Sequence, residues 1–288
     1  MTSTTSRDDS AACENPATAR LSVGVLSFHA HETLKKTLSS YEKGGLAEYA
    51  DDACVFFNDM TAEDVRICQS YRGWRCEGSP VNLGLLGGMD ALAHAMHGDY
   101  LLMLQNDCPL IADADAMRRY LDDSMALLAA GKADIVRCRS RDFPGQGFAD
   151  KKKFERFYGK GWRSALRRLL RPAKARRAIG RAPYAIDDAD RRFPSFITRH
   201  GDFLIVDSSV INFTDQPFLI SRPFMFQLLD RAKSHPKKRT LNGFQVMEIN
   251  LNTAWWRQSH FKVAVGEGLF THARFDGGFR IKRAASPA

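Results

Sequence analysis

Two clusters of polar residues follow apolar runs in the first half of the chain. Asn58 and Asp59 come after a short run, and Gln105-Asn106-Asp107 comes after a longer one. Ligands bind at the carboxyl ends of strands in open α/β sheets, so we expect these side chains to share one crevice. Asp107 is the anionic group of its turn. Its carboxylate is a hard oxygen ligand for a divalent ion that bridges two phosphates, such as Mg²⁺ or Mn²⁺.

A glycine-bearing loop lies between these clusters and leads into a predicted helix. Gly84, Gly87 and Gly88 remove side chains at the helix entrance, where backbone N–H groups and the helix dipole favour a phosphate. Their spacing matches neither the G-x-G-x-x-G pattern nor a P-loop. The alternatives are a tight turn that only packs the helix closely, and an Asp107 that only caps the turn before Pro109.

The second half of the chain offers four further polar or aromatic candidates. If Gly243–Gln258 is one helix, Glu248, Asn252 and Trp255 share a face and place a carboxylate, an amide and a sugar-stacking ring together. A surface Glu on a helix with core tryptophans is the alternative. His272 follows an apolar run, and a neutral imidazole can ligate Mn²⁺, although an ordinary histidine at a strand end is equally consistent with the sequence.

The elements that must position these residues alternate between strands and helices. Predicted strands are Leu21–Ser27, Cys54–Phe57, Tyr100–Leu104, Ala133–Cys138, Phe203–Val206, Val210–Phe213, Phe261–Val265 and Leu269–Ala273. Predicted helices are Glu32–Tyr41, Ala62–Tyr71, a helix after the glycine loop, Ala114–Ala130 and Gly243–Gln258. This alternation predicts an α/β fold with a mostly parallel central sheet flanked by helices.

Composition predicts a globular protein with a basic insertion. The 288 residues are 44% hydrophobic, and the net charge is +9. Residues 151–182 contain thirteen Lys or Arg and one acid, a local charge of +12 that leaves the rest of the chain slightly negative. This segment suits a solvated insertion, an anionic membrane contact or a polyanion site, and we favour a surface insertion.

One short helix inside the basic segment is predicted to be amphipathic. Trp162, Leu166, Leu169 and Leu170 have helical spacing, and Pro172 ends the helix. Such a helix suits the surface of a membrane.

Domain organisation follows from the same pattern. We predict a flexible tail over 1–20, a ligand-binding half over 21–140, the basic insertion over 141–200 and a second half of the same domain over 201–288. No apolar run is long enough to span a bilayer, so we expect a cytoplasmic protein, peripheral to the inner face of a membrane through 151–182. Free thiols are expected at Cys13, Cys54, Cys68, Cys76, Cys108 and Cys138, because no metal or redox spacing is present.

The order of motifs over Leu21–Leu110 resembles family two of the GT-A glycosyltransferases. In that family a first strand enters a turn and helix, a second ends in acidic residues, and an Asn- and Gly-rich loop precedes a D-x-D strand. Here the corresponding stretches are 26–32, 58–59, 82–90 and 104–107. The resemblance implies a GT-A, Rossmann-like fold and metal-assisted, inverting transfer of a sugar from a nucleotide-sugar to a glycan or lipid-linked acceptor.

The resemblance also implies roles for individual residues. Donor-binding roles fall on Ser27, Asn58, Asp59, Asn82, Gly84, Gly87, Gly88, Gln105 and Asn106. Asp107 and His272 would hold Mn²⁺ or Mg²⁺, Glu248 would be the catalytic base, and Asn252 and Trp255 would bind the acceptor. One departure is that Gln105 replaces the first carboxylate of the D-x-D motif.

Two other functions remain open at this point. A sugar-phosphate nucleotidyltransferase has a related sheet, but it needs a Gly-rich, basic loop where this chain has Ser27–His31. A nucleic-acid-binding protein would explain the basic segment, yet no binding module is recognisable and the rest of the chain is slightly negative. We regard nucleic acid as the less favoured partner.

Overall fold

The computed structural model describes residues 20–237 and 239–276, so the predicted tail lies outside them apart from Arg20. The strands are β1 (Leu21–Ser27), β2 (Asp52–Asn58), β3 (Arg75–Ser79), β4 (Tyr100–Gln105), β5 (Ile135–Arg139), β6 (Ile197–His200), β7 (Phe203–Asp207), β8 (Phe218–Ser221) and β9 (Lys262–Phe270). Within the described residues they form one sheet in the order β3-β2-β1-β4-β8-β5-β9-β7-β6. Only β7 and β8 in this sheet run against the other strands.

Helices cover both faces of the sheet. They are α1 (His31–Gly44), α2 (Leu46–Tyr49), α3 (Ala62–Gln69), α4 (Gly84–Ala95), α5 (Ala114–Ala129), α6 (Asp150–Tyr158), α7 (Trp162–Leu170), α8 (Pro172–Ile179), α9 (Ala189–Arg192), α10 (Arg222–Ser234), α11 (Met247–Leu251) and α12 (Ala254–Gln258). The predicted α/β class is therefore confirmed, including the mostly parallel central sheet flanked by helices and the helical basic insertion, which is α6–α8.

Two apolar layers hold the helices to the sheet. On one face, Leu34 and Leu38 of α1 and Met117 of α5 pack against the strands. On the other face, Met89 of α4 and Trp256 of α12 belong to a second buried layer. The central strands are buried on both faces, which is why β1 and β4 read as continuous apolar runs rather than alternating ones.

The predicted helix over 243–258 is wrong, because the chain breaks after α11 and restarts as α12. The break falls at Asn252 and Thr253, and Thr253 has an extended backbone. The side chain of Asn252 bonds both the N–H and the C=O of Phe213 instead of facing solvent from a helix. Glu248, Asn252 and Trp255 therefore do not share one helix face.

Other element predictions need correction as well. Val210–Phe213 is a turn and loop rather than a strand, because the N–H groups of Val210 and Ile211 donate to the Asp207 carbonyl in a turn, and the Phe213 backbone bonds the Asn252 side chain. The two predicted last strands are one strand, β9, with an irregular register opposite β5 and a positive φ at Gly268. Pattern analysis missed β3, β6, β8 and α10. Strands of four or five residues show too little alternation to be recognised.

Two further findings concern the membrane and the thiols. No helix in the described ranges is long and apolar enough to cross a bilayer. The five described cysteines are free thiols, and Cys13 lies outside the described residues. The predicted division of the chain into segments at residues 140 and 200 stays a prediction.

Candidate active site

A cavity of about 620 Å³ opens at the carboxyl ends of β1, β2 and β4. Its volume is in the range of pockets that hold small ligands. The predicted site residues that line it are Asn58, Asn82, Gly84, Gln105, Asn106, Asp107 and His272. The predicted crevice therefore exists, and it brings together residues from three loops of the first half and one from the end of β9.

Asp107 and His272 meet at the floor of this cavity. Oδ2 of Asp107 lies 3.1 Å from Nε2 of His272, and the Asp107 residue is only 3% exposed. Nδ1 of His272 lies 3.2 Å from the carbonyl oxygen of Gln146. Because a carbonyl can only accept, Nδ1 carries the proton in that contact. With the proton on Nδ1, the lone pair of Nε2 faces the carboxylate, an arrangement that a cation bound by both atoms would satisfy.

These two side chains could bind a divalent cation whose remaining coordination positions are filled by other groups. A carboxylate oxygen and an imidazole nitrogen are common ligands of Mn²⁺. No group of three or more His, Cys, Asp or Glu side chains placed to hold a metal occurs within residues 20–237 and 239–276. The protein would thus supply two ligands, and phosphate oxygens and water would have to supply the others.

Asn58 organises the loop that leads into α4. Its Oδ1 accepts from the Leu83 N–H at 2.6 Å, and its Nδ2 donates to Asn82 Oδ1 and to the Gly84 carbonyl, both at 3.1 Å. Asn82 Oδ1 in turn accepts from the Gly84 N–H at 2.8 Å, and the Leu86 N–H donates to the Gln245 carbonyl. Three amides at the helix entrance therefore already have partners. The expectation that these amides bind phosphate is not supported, and the loop shapes the cavity wall instead.

The three glycines of this loop have different reasons to be glycine. Gly84 has a φ of +72°, and a Cβ there would lie 2.5 Å from Phe244, which also lines the cavity. A Cβ at Gly87 would lie 2.9 Å from Leu83 Cβ, and one at Gly88 would lie 2.9 Å from a Leu26 methyl. Gly87 and Gly88 thus permit close packing under the loop, and only Gly84 faces the cavity.

The remaining predicted donor-binding residues make hydrogen bonds at or next to the cavity wall. Asn106 Nδ2 donates to Ser27 Oγ at 3.3 Å, and Ser27 is fully buried. Asp59 has a φ of +69°, and its carboxylate lies 3.2 Å from His29 Nε2. Gln105 Nε2 donates to the Asp215 carbonyl at 2.9 Å. Ser27 and Asp59 are not among the residues that line the cavity.

Asp215 is a buried acid at the cavity wall that sequence reasoning missed. It is 7% exposed, and its carboxyl hydrogen-bonds Glu248. Burial and then the negative charge of Glu248 raise the pKa of Asp215 to about 7. Burial also raises the pKa of Glu248, opposed by the positive charge of Arg137. Both carboxyls therefore hold a proton to a higher pH than they would in water.

Glu248 lies behind Asp215 and does not itself line the cavity. Asn252 fixes the backbone of Phe213, two residues before Asp215, so it positions the acid and does not face the cavity. Trp255 stacks edge to face on Phe261 and carries the Arg231 guanidinium over its ring. The two residues predicted to bind an acceptor are thus engaged in packing.

Two arginines at the end of β5 complete the surroundings. Arg137 and Arg139 lie on the same face of the strand and are both 9% exposed. Arg139 donates to Gln216 Oε1 at 3.0 Å and to the carbonyls of Pro144 and Gln146, so it fixes Gln216 at the cavity wall. The alternation of Arg with apolar residues in this strand was the signal that sequence reasoning overlooked. For Asp215 the signal was a turn rich in polar residues before a proline.

Comparison with known proteins gives matches among solved structures. No protein-family model matches the chain, and no curated protein does. Matching structures include residues 1–349 of TarS from S. aureus, with 12% identity and a TM-score of 0.46 over 88% of this chain and 60% of that one. The same fragment in complex with UDP-GlcNAc gives the same identity and TM-score over 90% and 60%.

A third match is the mannosyltransferase PcManGT from Pyrobaculum calidifontis in complex with GDP-Man and Mn²⁺. Its identity is 12% and its TM-score 0.42 over 86% of this chain and 57% of that one. The chain spans less than two thirds of the length of each of these structures.

Proposed function

We propose that this protein is a glycosyltransferase that moves a sugar from a nucleotide-diphosphate sugar to a glycan or lipid-linked acceptor with inversion. The observation that carries the proposal is the placement of two acidic groups on one cavity. The Asp107–His272 pair suits a divalent cation, and Asp215, backed by Glu248, suits a general base. Gln105 joins the two, because it belongs to the turn of Asp107 and donates to the Asp215 carbonyl.

Each group has a defined part in the reaction. Mn²⁺ or Mg²⁺ on Asp107 and His272 would stabilise the negative charge that develops on the departing diphosphate. Asp215 accepts the proton of the acceptor hydroxyl, and the hydroxyl oxygen forms its bond to the anomeric carbon. The bond from that carbon to the diphosphate oxygen breaks on the opposite side, and its electron pair stays on the diphosphate.

Asp215 is suited to this role at neutral pH. A general base works best when its pKa is close to the operating pH, and the pKa of Asp215 is raised to about 7. Glu248 contributes through its charge, which raises the basicity of Asp215. The catalytic role first assigned to Glu248 is therefore proposed for the Asp215–Glu248 pair, with Asp215 toward the substrate.

The donor would occupy the side of the cavity formed by the first three parallel strands. Asn58 and Asn82 shape this wall, and Phe28 and Phe244 provide aromatic surface near it. Aromatic rings and amide groups are suitable partners for a nucleoside. In this arrangement the diphosphate would lie next to Asp107 and the transferred sugar toward Asp215.

A thermal-shift panel tests the proposal directly. UDP-, GDP-, CMP- and dTDP-sugars are each added with and without Mn²⁺, and we expect one nucleotide class to stabilise the protein more in the presence of the metal. Release of the nucleoside diphosphate on addition of acceptors then measures transfer. If no nucleotide-sugar stabilises the protein under either condition, while RNA or DNA is retained in a salt-sensitive manner, the proposal is wrong and a polyanion-binding function replaces it.

A further inference from the structure

Helix α7 is an amphipathic helix whose apolar side faces away from the protein. Trp162 is 70% exposed, Leu166 43%, Leu169 77% and Leu170 68%. These four residues follow the i, i+4, i+7, i+8 spacing that places side chains on one face of a helix. Apolar faces of helices in globular proteins normally pack against the core. The exposed fractions show that this face has no such partner among the described residues.

Contacts made by the opposite face of α7 explain why its apolar side faces outward. Ser164 is buried, Arg168 Nη1 donates to the Phe157 carbonyl at 2.6 Å, and Arg167 Nη1 lies 3.4 Å from the Arg156 carbonyl. Both carbonyls belong to the last turn of α6, where backbone acceptors have no partner within their own helix. Satisfying them turns the polar side of α7 inward and leaves the tryptophan and leucines outside.

Exposed cations are frequent on α7, on the neighbouring helices α6 and α8, and in the connections between them. They are Lys151, Lys152, Lys160, Arg163, Arg171 and Lys174, and the segment 151–182 contains only one acid, Glu155. An apolar stripe bordered by cations is the pattern of helices that lie in the interface of an anionic bilayer. Trp162 at the start of the helix suits the headgroup level, where tryptophan is favoured.

We propose that α7 docks this protein on an anionic lipid bilayer, with Trp162, Leu166, Leu169 and Leu170 inserted and the surrounding Lys and Arg on the lipid headgroups. Charge decides between a bilayer and a second copy of the chain. A symmetric contact through this face would place the cations of one copy against those of the other. The docking surface is independent of the proposed sugar transfer.

Vesicle binding by the full chain tests this inference. The probes are vesicles of phosphatidylcholine alone and of phosphatidylcholine with phosphatidylglycerol. We expect binding to the anionic vesicles only, weakened by added salt. Trp162 is exposed, whereas Trp74 and Trp256 are buried and Trp255 is partly buried, so tryptophan emission should shift to the blue on binding and Trp162→Phe should remove most of the shift.

Matched variants distinguish insertion of α7 from nonspecific binding through any exposed apolar residue. Leu166→Ser/Leu169→Ser/Leu170→Ser should weaken the partition coefficient by about tenfold or more, since each leucine loses its apolar burial. Ile111→Ser changes another exposed apolar residue and should bind as the unchanged protein does. All substituted side chains are exposed, so the circular dichroism spectrum and thermal midpoint should stay unchanged.

Three results would overturn the inference. Equal binding to neutral and anionic vesicles would remove the role of the cations. Unchanged binding by the triple leucine variant would remove the role of α7. Self-association in sedimentation velocity that the triple variant abolishes, together with no vesicle binding, would assign the face to a second copy of the chain.

Discussion

Nε2 of His272 lies 3.1 Å from Oδ2 of Asp107, although the two residues are far apart in the sequence. Asp107 follows β4, and His272 follows β9. The backbone holds them together, because the Ala273 N–H donates to the Asp107 carbonyl at 2.9 Å and the Thr271 N–H donates to that of Pro109 at 3.1 Å. The contact is thus built into the ends of two strands and does not depend on a mobile side chain alone.

Removing either partner of this pair should remove the metal dependence of transfer. We expect Asp107→Asn and His272→Ala each to lower the Mn²⁺-dependent rate roughly 100-fold, because a bound cation contributes several kcal/mol to stabilising the transition state. The measurement is the initial rate over a Mn²⁺ titration, with Mn²⁺ binding followed separately by electron paramagnetic resonance.

A second His–Asp pair provides the control. His260 Nδ1 lies 2.9 Å from Asp207 Oδ2 on another surface, away from the cavity. His260→Ala and Asp207→Asn should leave the Mn²⁺ dependence unchanged. Wild-type Mn²⁺ affinity in Asp107→Asn would show that the cavity floor does not hold the metal.

Gly84→Ala should weaken donor binding, whereas Gly131→Ala, which adds a Cβ at a similar backbone conformation away from the cavity, should not. At Gly84 the φ of +72° and the contact with Phe244 both oppose a Cβ, whereas Gly131 has a φ of +60° and open space around it. A left-handed backbone costs a non-glycine residue about 1–2 kcal/mol. We expect Gly131→Ala to lose that amount in urea unfolding, and Gly84→Ala to lose more because its Cβ also meets Phe244, and to lose donor affinity by calorimetry. Equal donor affinity in the two variants would show that the wall formed by Gly84 and Phe244 is not part of the donor site.

Gln105→Glu should not restore a working D-x-D motif. The Gln105 amide donates to the Asp215 carbonyl, and a carboxylate in its place would turn a lone pair toward that oxygen and add charge beside two acids. We expect a loss of about 1–3 kcal/mol in metal-free urea unfolding. Gln105→Met, which removes the donor without adding charge, is the control and should lose less. A variant that keeps its stability and gains Mn²⁺ affinity would contradict this explanation of the glutamine.

The first half of the fold was predictable because its signals are local. The apolar run of β4 is continuous, that of β1 is interrupted only by small residues, and the residues after both strands lie at one edge of a parallel sheet by topology alone. Asp107, Asn58 and Gly84 could therefore be assigned to one crevice from the sequence. What Asn58 does there was not predictable, since its three hydrogen bonds depend on the loop conformation.

The second half was harder because its signals are non-local. Asn252 breaks a pattern that looks helical, and it does so to bond Phe213, which is far away in sequence. Asp215 follows a segment without regular structure, so no periodicity marked it. Its importance depends on burial and on Glu248, and both arise only when α11 packs against the loop before β8.

Asp215→Asn should make the protein more stable and less active. Burial raises the pKa of Asp215 from 3.8 to about 7, so the folded state holds the proton more tightly than the unfolded state. Stability from this group is therefore fully present below the unfolded pKa and is lost as pH rises through about 7. Asparagine cannot ionise, and its amide can still donate to Glu248. At a pH above 7 we expect a gain on the order of 3 kcal/mol over the unchanged protein.

Metal-free urea unfolding across this pH range measures the effect, and a transfer assay of the same variant should show nearly complete loss. Asp190 gives a control of opposite sign, because its hydrogen bond to Arg199 lowers its pKa and Asp190→Asn should destabilise the protein at neutral pH. Glu248→Gln should lower the pKa of Asp215 and move the acid limb of the pH–rate profile downward, since a neighbouring negative charge is removed. If Asp215→Asn and the unchanged protein show the same pH dependence of stability, folding does not raise the pKa of Asp215, and the base in the proposed mechanism must be sought elsewhere on the cavity wall.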